Sequence, residues 1–286
     1  MVGAGRLGGA LARALSARGW PVRVLSRSED SRRRAEALGL KPASPRELQL
    51  ARVALLCVPD KAVPQVAREL TRRLGRGAAL VHCAGALTLE ALGRPRGRAT
   101  GSFHPLCAVS SPTDSLAGHA VALSTRSRPL EATLRRMAGE LELQVLEVPE
   151  AHRAAYHAGA VLSAGCAVAL MSSAVEALGQ AGIAPEQALP ALLPLMRSAL
   201  RGMEARGLAG GLTGPVVRGD TEVIAAHLRA LPAEVSAVYR LLSLQALRLA
   251  EPRLSSEAHT ALTKLLFPQP DALGSSSQRL SRKRRP

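Results

Sequence analysis

Residues 1–15 read MVGAGRLGGALARAL, and the reading of Gly3-Ala4-Gly5-Arg6-Leu7-Gly8 within them decides the fold. The pattern is a glycine-rich turn that opens directly into a helix, predicted over residues 7–18 and stopped by Gly19. Each glycine has its own task in a loop that cradles the pyrophosphate of a dinucleotide. Gly3 permits the tight turn, Gly5 lets the backbone approach the phosphates, and Gly8 lets the helix pack close to a sheet. The helix N-terminus adds unpaired N–H groups and the positive end of its dipole. Such a loop follows a buried central strand of about five residues, yet only Met1 and Val2 precede Gly3. Losing most of that strand removes core side chains worth about 1.5–3 kcal/mol each. The sequence therefore predicts a first strand truncated at its N-terminal side, with the natural start upstream of Met1.

Outward from the loop, short apolar runs alternate with helical patterns. PVRVL (21–25), RVALLCV (52–58), AALVHC (78–83), ATGSF (99–103), HAVALS (119–124) and LQVLEV (143–148) read as strands. Helices are expected over residues 30–38, 63–74 and 129–141. Ser44-Pro45-Arg46-Glu47 has the form of a capping box with proline in the first turn. This alternation predicts an α/β fold with a doubly wound parallel sheet. After Pro149 the strand signals stop, and helices are expected over residues 151–181, 185–206, 221–231, 233–250 and 255–266. The expected organisation is a dinucleotide-binding domain at 1–149, an all-α substrate and dimerisation domain at 150–270, and a basic tail without stable structure at 271–286.

The residues after the second strand discriminate between dinucleotides. An NAD site carries Asp or Glu there for the ribose hydroxyls, whereas this chain reads VLSRSEDSRRR (24–34). Ser26, Arg27 and Ser28 suit a 2′-phosphate, with Arg32 and Arg33 as helpers, so the cofactor expected is NADP. Cofactor contacts are assigned to Gly3, Gly5, Arg6, Leu7, Gly8, Ser26, Arg27 and Ser28. Val58 and Pro59, which follow the third strand, complete the set.

Composition narrows the remaining classes. The chain has 286 residues, 47% hydrophobic but only 2% aromatic, so its core must be built from Ala, Leu and Val. Cys57, Cys83, Cys107 and Cys166 are widely spaced without a CxxC pair, which suggests neither a zinc site nor a disulfide scaffold and fits a reducing cytoplasm. No Asp, Glu, Lys or Arg interrupts residues 154–175, a length that would cross a bilayer. Its Ala, Gly and Ser content and His157 favour a helix buried on all sides in a soluble domain, with no membrane partner. The net charge of +16 raises a nucleic-acid hypothesis. The arginines are scattered, however, with no aromatic residues between them to stack on bases, and only GSSSQRLSRKRRP (274–286) is a true basic cluster.

Four later phrases are more specific: HCAGAL (82–87), GSFHPL (101–106), AYHAGAVLSAG (155–165) and LTGPVVRGD (212–220). In that order they resemble a family of oxidoreductases that joins a Rossmann-like NADP-binding domain to a helical domain of unknown function. The helical domain is similar to the C-terminal domains of 6-phosphogluconate dehydrogenase and pyrroline-5-carboxylate reductase. The resemblance covers the chain except its basic tail, and it implies a homodimer through the helical domain. The family has no agreed substrate. The chain departs from its pattern at Ala84, where Ser is usual, and at Gly165, where Asn is usual.

The histidines suggest the chemistry. His82 and His104 each lie toward the end of a predicted strand, the edge where ligands bind in such sheets. His157, Val161 and Gly165 are spaced i, i+4, i+8, which places His157 and an opening on one helix face. An imidazole can protonate the oxygen or nitrogen of a carbonyl or imine as hydride arrives, so His157 and His104 are the expected catalytic residues. His82, Arg218 and Asp220 are the expected substrate contacts, Arg218 as a carboxylate clamp and Asp220 as its partner or as a helix cap. The expected activity is NADP-dependent hydride transfer to or from a small, acidic carbonyl or imine substrate in a cleft between the domains. The alternatives are an NADP-binding sensor or scaffold without catalysis, and a nucleic-acid-associated protein acting through its basic surface and tail.

Overall fold

The computed structural model describes residues 1–93, 95 and 97–267; the basic tail lies outside them. The described residues form two compact units, divided between Ala164 and Gly165. The helix after Pro149 begins within the first unit, where Arg153 is 1% exposed.

The sheet of the first unit contains β1 (Val53–Leu56), β2 (Ala79–His82), β3 (Thr100–Leu106), β4 (Ala120–Thr125) and β5 (Gln144–Glu147), side by side in that order. The pairs β1–β2, β2–β3 and β4–β5 are parallel. The pair β3–β4 is antiparallel, so the sheet is mixed rather than wholly parallel. The reason is in the connection: no helix lies between Leu106 and Ala120, and a parallel return needs a crossover.

Beyond β1 the sheet continues through single-residue parallel bridges, Val2 with both Leu56 and Leu25, and Val24 with Pro42. The predicted strand at 21–25 is reduced to these bridges, since its only inner neighbour is Met1–Gly3. That short segment is nonetheless held on both sides. Val2 N–H donates to Leu55 O at 2.8 Å and Gly3 N–H to Leu25 O at 3.0 Å, while Cys57 N–H donates to Val2 O at 2.9 Å. The glycine loop therefore leaves the centre of the extended sheet, as its motif requires.

Period-two alternation decides which side chain faces which layer. Leu55, Val81, Phe103 and Val121 point to one face, against α1 (Arg6–Ala17) and α5 (Arg128–Glu140) through Leu11, Leu15, Leu134 and Met137. Ala54, Leu56 and Leu80 point to the other, against α4 (Val63–Arg73) through Val63, Val66, Ala67 and Leu70. Two smaller helices lie between α1 and α4, namely α2 (Glu29–Ala37) and α3 (Pro45–Leu50). The capping box of α3 is formed as the sequence predicts, with Glu47 N–H donating to Ser44 Oγ and Ser44 N–H to Glu47.

The expected helix over 151–181 is divided. A 3-10 turn at Glu150–His152 leads into α6 (Arg153–Ser163), Ala164 breaks the helix with φ −114° and ψ −71°, and α7 (Gly165–Gly179) follows. The stretch Glu150–Gly179 is long and apolar enough, by length and composition, to cross a membrane, and none of its apolar window is buried within the chain. The expectation of burial on all sides is thereby corrected: no residue of α7 is buried, because the chain's own helices cover too little of it. The second unit continues with α8 (Pro185–Gly211), kinked at Gly207, then α9 (Thr221–Ala230), α10 (Ala233–Ala250) and α11 (Ser256–Leu266). Its core is Val216, Ile224, Leu247, Ala250, Leu262 and Leu266.

Candidate active site

The glycine loop has the geometry of an anion cradle. Gly3 has φ +94°, and a Cβ there would lie 2.5 Å from Cys57 O, with Val58 Cγ1 also in contact. A Cβ on Gly8 would overlap Gly3 O and lie 3.0 Å from Cys57 Cβ. Gly5 is different: a Cβ built on it meets nothing within 4 Å. Gly5 is the N-cap of α1 and supplies no side-chain cap, so the N–H groups of Arg6, Leu7 and Gly8 lack intrahelical partners above open space. Ala4 N–H donates to the buried Ser31 Oγ at 3.3 Å, which ties the loop to α2. These features fit a dinucleotide pyrophosphate.

Around the expected 2′-phosphate position, Ser28 Oγ accepts from Ser31 N–H at 3.2 Å and caps α2, and Ser26 is half-buried. Arg32 and Arg33 are engaged on their own helix by Glu29 at 2.7 Å and Asp30 at 3.4 Å respectively. Among the described residues the exposed Arg27 has only the longer Arg27–Glu69 pair, at 3.5 Å. Val58 is half-buried, and Pro59 leads into the 3-10 turn before α4.

At the C-terminal end of β2, the same sheet edge as the glycine loop, the alternation that builds the core places polar groups in a row. His82 is in register with Ser102, and Ser102 with Ser124. All three therefore share the face opposite Phe103, and His104 follows two residues along β3. Over this row lies α6, whose Arg153, Tyr156 and His157 are spaced i, i+3, i+4 on one helix face.

Arg153 donates to Ser102 Oγ, to Gly85 O at 3.3 Å, to the more distant Ala84 O, and through Nε to Glu150 Oε1 at 3.3 Å. Glu150 is fixed in turn by Leu89 N–H at 2.6 Å and Ser124 Oγ at 2.7 Å. The guanidinium thus clamps the loop after β2. That loop carries Gly85, where a Cβ would overlap His157 Cδ2 and lie 2.9 Å from His104 Nε2. The absent side chain is what lets His104 and His157 meet, with ring centroids 6.1 Å apart. On its other side, His104 Nδ1 is 2.8 Å from Tyr156 Oη, the rings nearly perpendicular.

The electrostatics follow from this packing. Burial first, then the positive charge of Arg153, lowers the His82 pKa from the ordinary 6.5 to about 4. Burial, then His157, Arg153 and His82, lowers that of His104 to about 4 as well. Both are neutral at pH 7. Burial raises the Tyr156 pKa. A base whose pKa is depressed by folding leaves stability intact above its unfolded pKa and removes it as pH falls through the folded one. Denaturation midpoints should therefore decline from about pH 6.5 toward pH 4, and His82→Gln should flatten part of that decline. An unchanged slope in the variant would contradict the assignment.

His82 lies deeper than a strand-end ligand contact would: it is 0% exposed, and among the described residues neither ring nitrogen has a partner in good hydrogen-bond geometry, the Thr88 and Ala84 backbone being the polar groups beside it. His104, Tyr156 and His157 are half-buried and reachable. Gly165 falls beyond the helix break, so its expected alignment with His157 on one continuous helix does not hold. In the second unit, Asp220 Oδ1 accepts from Val223 N–H at 3.2 Å and caps α9, the second of its two expected roles. Arg218 is exposed there. No sequence pattern singles out Arg153, Tyr156, Ser102, Ser124 or Glu150 by motif. The helical spacing of Arg153, Tyr156 and His157 was the available signal.

Comparison with known proteins agrees with this architecture. Residues 1–85 match the family described as NADP oxidoreductase, coenzyme F420-dependent, and residues 120–246 match a domain of unknown function, DUF2520. No functionally curated relative matches the chain. Among solved structures, a Bacteroides fragilis protein assigned as an NADP oxidoreductase is similar at TM-score 0.72 and 24% identity, over 86% of this chain and 96% of that one. A Thermotoga maritima protein is similar at TM-score 0.68 and 26% identity, over 88% and 97%. An imine reductase of Streptomyces aurantiacus is similar at TM-score 0.60 and 16% identity, over 93% and 98%.

Proposed function

We propose that the chain, whose residues 1–85 match an NADP-oxidoreductase family and whose residues 120–246 match a domain of unknown function, is an NAD(P)-dependent oxidoreductase that reduces the C=O or C=N bond of a small substrate at the histidine cluster. The observation that carries this reading is the combination, within one unit, of an open glycine cradle and His104 and His157 set around Gly85. A bound nicotinamide dinucleotide would supply the hydride. Gly3, Gly5 and Gly8, with the N–H groups of Arg6 and Leu7, would hold its pyrophosphate. Val58 and Pro59 would border the same site. His104 and His157 would meet the substrate heteroatom, and the clamp of Arg153 on the Ala84 and Gly85 carbonyls keeps the intervening loop in place. The test is NADPH consumption by the full chain against a panel of aldehydes, ketones, 2-oxo acids and cyclic imines. Turnover that His104→Ala lowers by about 10²–10⁴-fold supports the reading, whereas no turnover despite NADPH binding favours a sensor or scaffold.

NADP is the preferred dinucleotide on this reading, because Arg27 is held by only one long ion pair and Ser26 and Ser28 flank it. Arg27→Ala should weaken NADPH by about ten- to a hundredfold, the scale of a lost charge-assisted contact, and leave NADH nearly unchanged. Equal losses in parallel titrations would sink the preference. The four cysteines, all free, fit a cytoplasmic setting.

The same reading includes a homodimer. Val168, Leu189, Leu193, Leu195 and Leu200 on α7 and α8 are 38–74% exposed, an apolar surface that a second copy of the same face would cover. Light scattering should give twice the chain mass, and a monomer at micromolar concentration would contradict it.

A further inference from the structure

The His104–Tyr156 contact makes a more specific statement possible, one that rests on the proposed reductase reading. His104 Nδ1 and Tyr156 Oη are 2.8 Å apart, so one of them donates to the other. If the phenol donates, the imidazole carries its own proton on Nε2; if Nδ1 donates, Nε2 is bare and can only accept. Nε2 is the nitrogen beside Gly85, and it makes no hydrogen bond among the described residues. It is therefore the atom available to a substrate.

We infer that Tyr156 donates to His104 Nδ1, and that the pair works as a proton relay in which a neutral His104 presents its Nε2–H to the substrate heteroatom. The groups that face His104 favour this state. The charges that act on it are those of His157, Arg153 and His82, and Tyr156 caps it; Glu150, the carboxylate paired with Arg153, is itself held by Arg153, Ser124 and Leu89. An imidazolium would thus sit beside a fixed cation with no carboxylate of its own. A neutral donor avoids placing a second cation in that field; at Tyr156 burial raises the phenol's pKa and the charge of Arg153 offsets part of that rise, so the phenolate of the relay is short-lived.

The step balances without any further group. As the substrate carbon accepts hydride from reduced nicotinamide dinucleotide, its oxygen or nitrogen takes the proton from His104 Nε2. The N–H bond at Nε2 breaks, the Tyr156 O–H proton moves to Nδ1, and a phenolate remains. A proton from water then returns to Nε2, and the Nδ1 proton goes back to the phenolate. Tyr156 is in this scheme a positioning and relay residue, and His104 is the donor that touches substrate.

The test needs no substrate. In the full chain labelled with ¹⁵N, long-range proton–nitrogen spectra report which ring nitrogen of each histidine carries the proton, and His104→Gln identifies the signals. The expected result is His104 neutral and protonated on Nε2 at pH 7. Tyr156→Phe, which keeps the ring and its packing, should convert this to a mixture of tautomers while far-UV circular dichroism stays unchanged. His104 protonated on Nδ1, or a tautomer indifferent to Tyr156→Phe, would overturn the relay. NADPH binding is measured on the same samples. Its absence would remove the reductase reading on which the relay rests, whereas binding with the wrong tautomer would remove the relay alone.

Discussion

Gly5→Val should abolish useful dinucleotide binding while leaving the protein folded. A Cβ on Gly5 meets no protein atom within 4 Å, and the residue has φ −70°, which any L residue adopts. The cost to the free protein is the poorer N-cap that valine makes for α1, about 0.5–1 kcal/mol. The added methyl groups occupy the space above the N–H groups of Arg6, Leu7 and Gly8, where the pyrophosphate is expected. Affinity should fall by about a hundredfold or more, an overlap cost of roughly 3 kcal/mol, with Tm lowered by no more than a few degrees. Gly8→Ala provides the contrast. Its Cβ would overlap Gly3 O, which is backbone and cannot rotate away, so both Tm and affinity should fall. Calorimetric titration together with thermal scans separates the two. A Gly5→Val protein that binds as wild type would mean that the loop is not the cradle.

Arg153→Leu should be the most damaging single change to the stability of the first unit. Arg153 is 1% exposed and donates to Ser102, Ala84, Gly85 and Glu150. Removing it leaves two backbone carbonyls and a partly buried carboxylate with fewer partners. Breaking a buried ion pair from one side costs about 3–5 kcal/mol, which for a unit of this size lowers Tm by about 10 °C. Arg153→Lys should recover little, because one ammonium cannot span four acceptors in different directions. The histidines give a second readout: with the guanidinium gone, the pKa of His104 should rise in part, burial and His157 still holding it down, visible by NMR titration. A variant with unchanged Tm and unchanged His104 titration would contradict the clamp.

What the sequence made legible was what short-range physics determines. The glycine loop, the stop at Gly19 and the Ser44–Glu47 capping box all depend on residues within a few positions of one another, and each appears where the pattern places it. The alternation of Ala54, Leu55 and Leu56 likewise assigns the two faces of β1. Features that depend on long-range pairing were less visible. The antiparallel β3–β4 pair follows from a missing crossover helix, and residues 107–119 carried that signal only as an absence. His82 was placed at a ligand edge from its strand-end position, but the same alternation that buries Leu80 also buries His82. The break at Ala164 has no proline to announce it, and the uncovered face of α7 reflects what other helices fail to reach. Tyr156 was overlooked because its partner, His104, lies on β3, 52 positions away.

The most direct test of the central claim is a side-by-side calorimetric titration of the folded full chain with NADPH and NADH. Saturable binding of NADPH, at least about tenfold tighter than NADH and lost in Gly5→Val, is the predicted result. A well-folded chain that binds neither dinucleotide would contradict the account at its root.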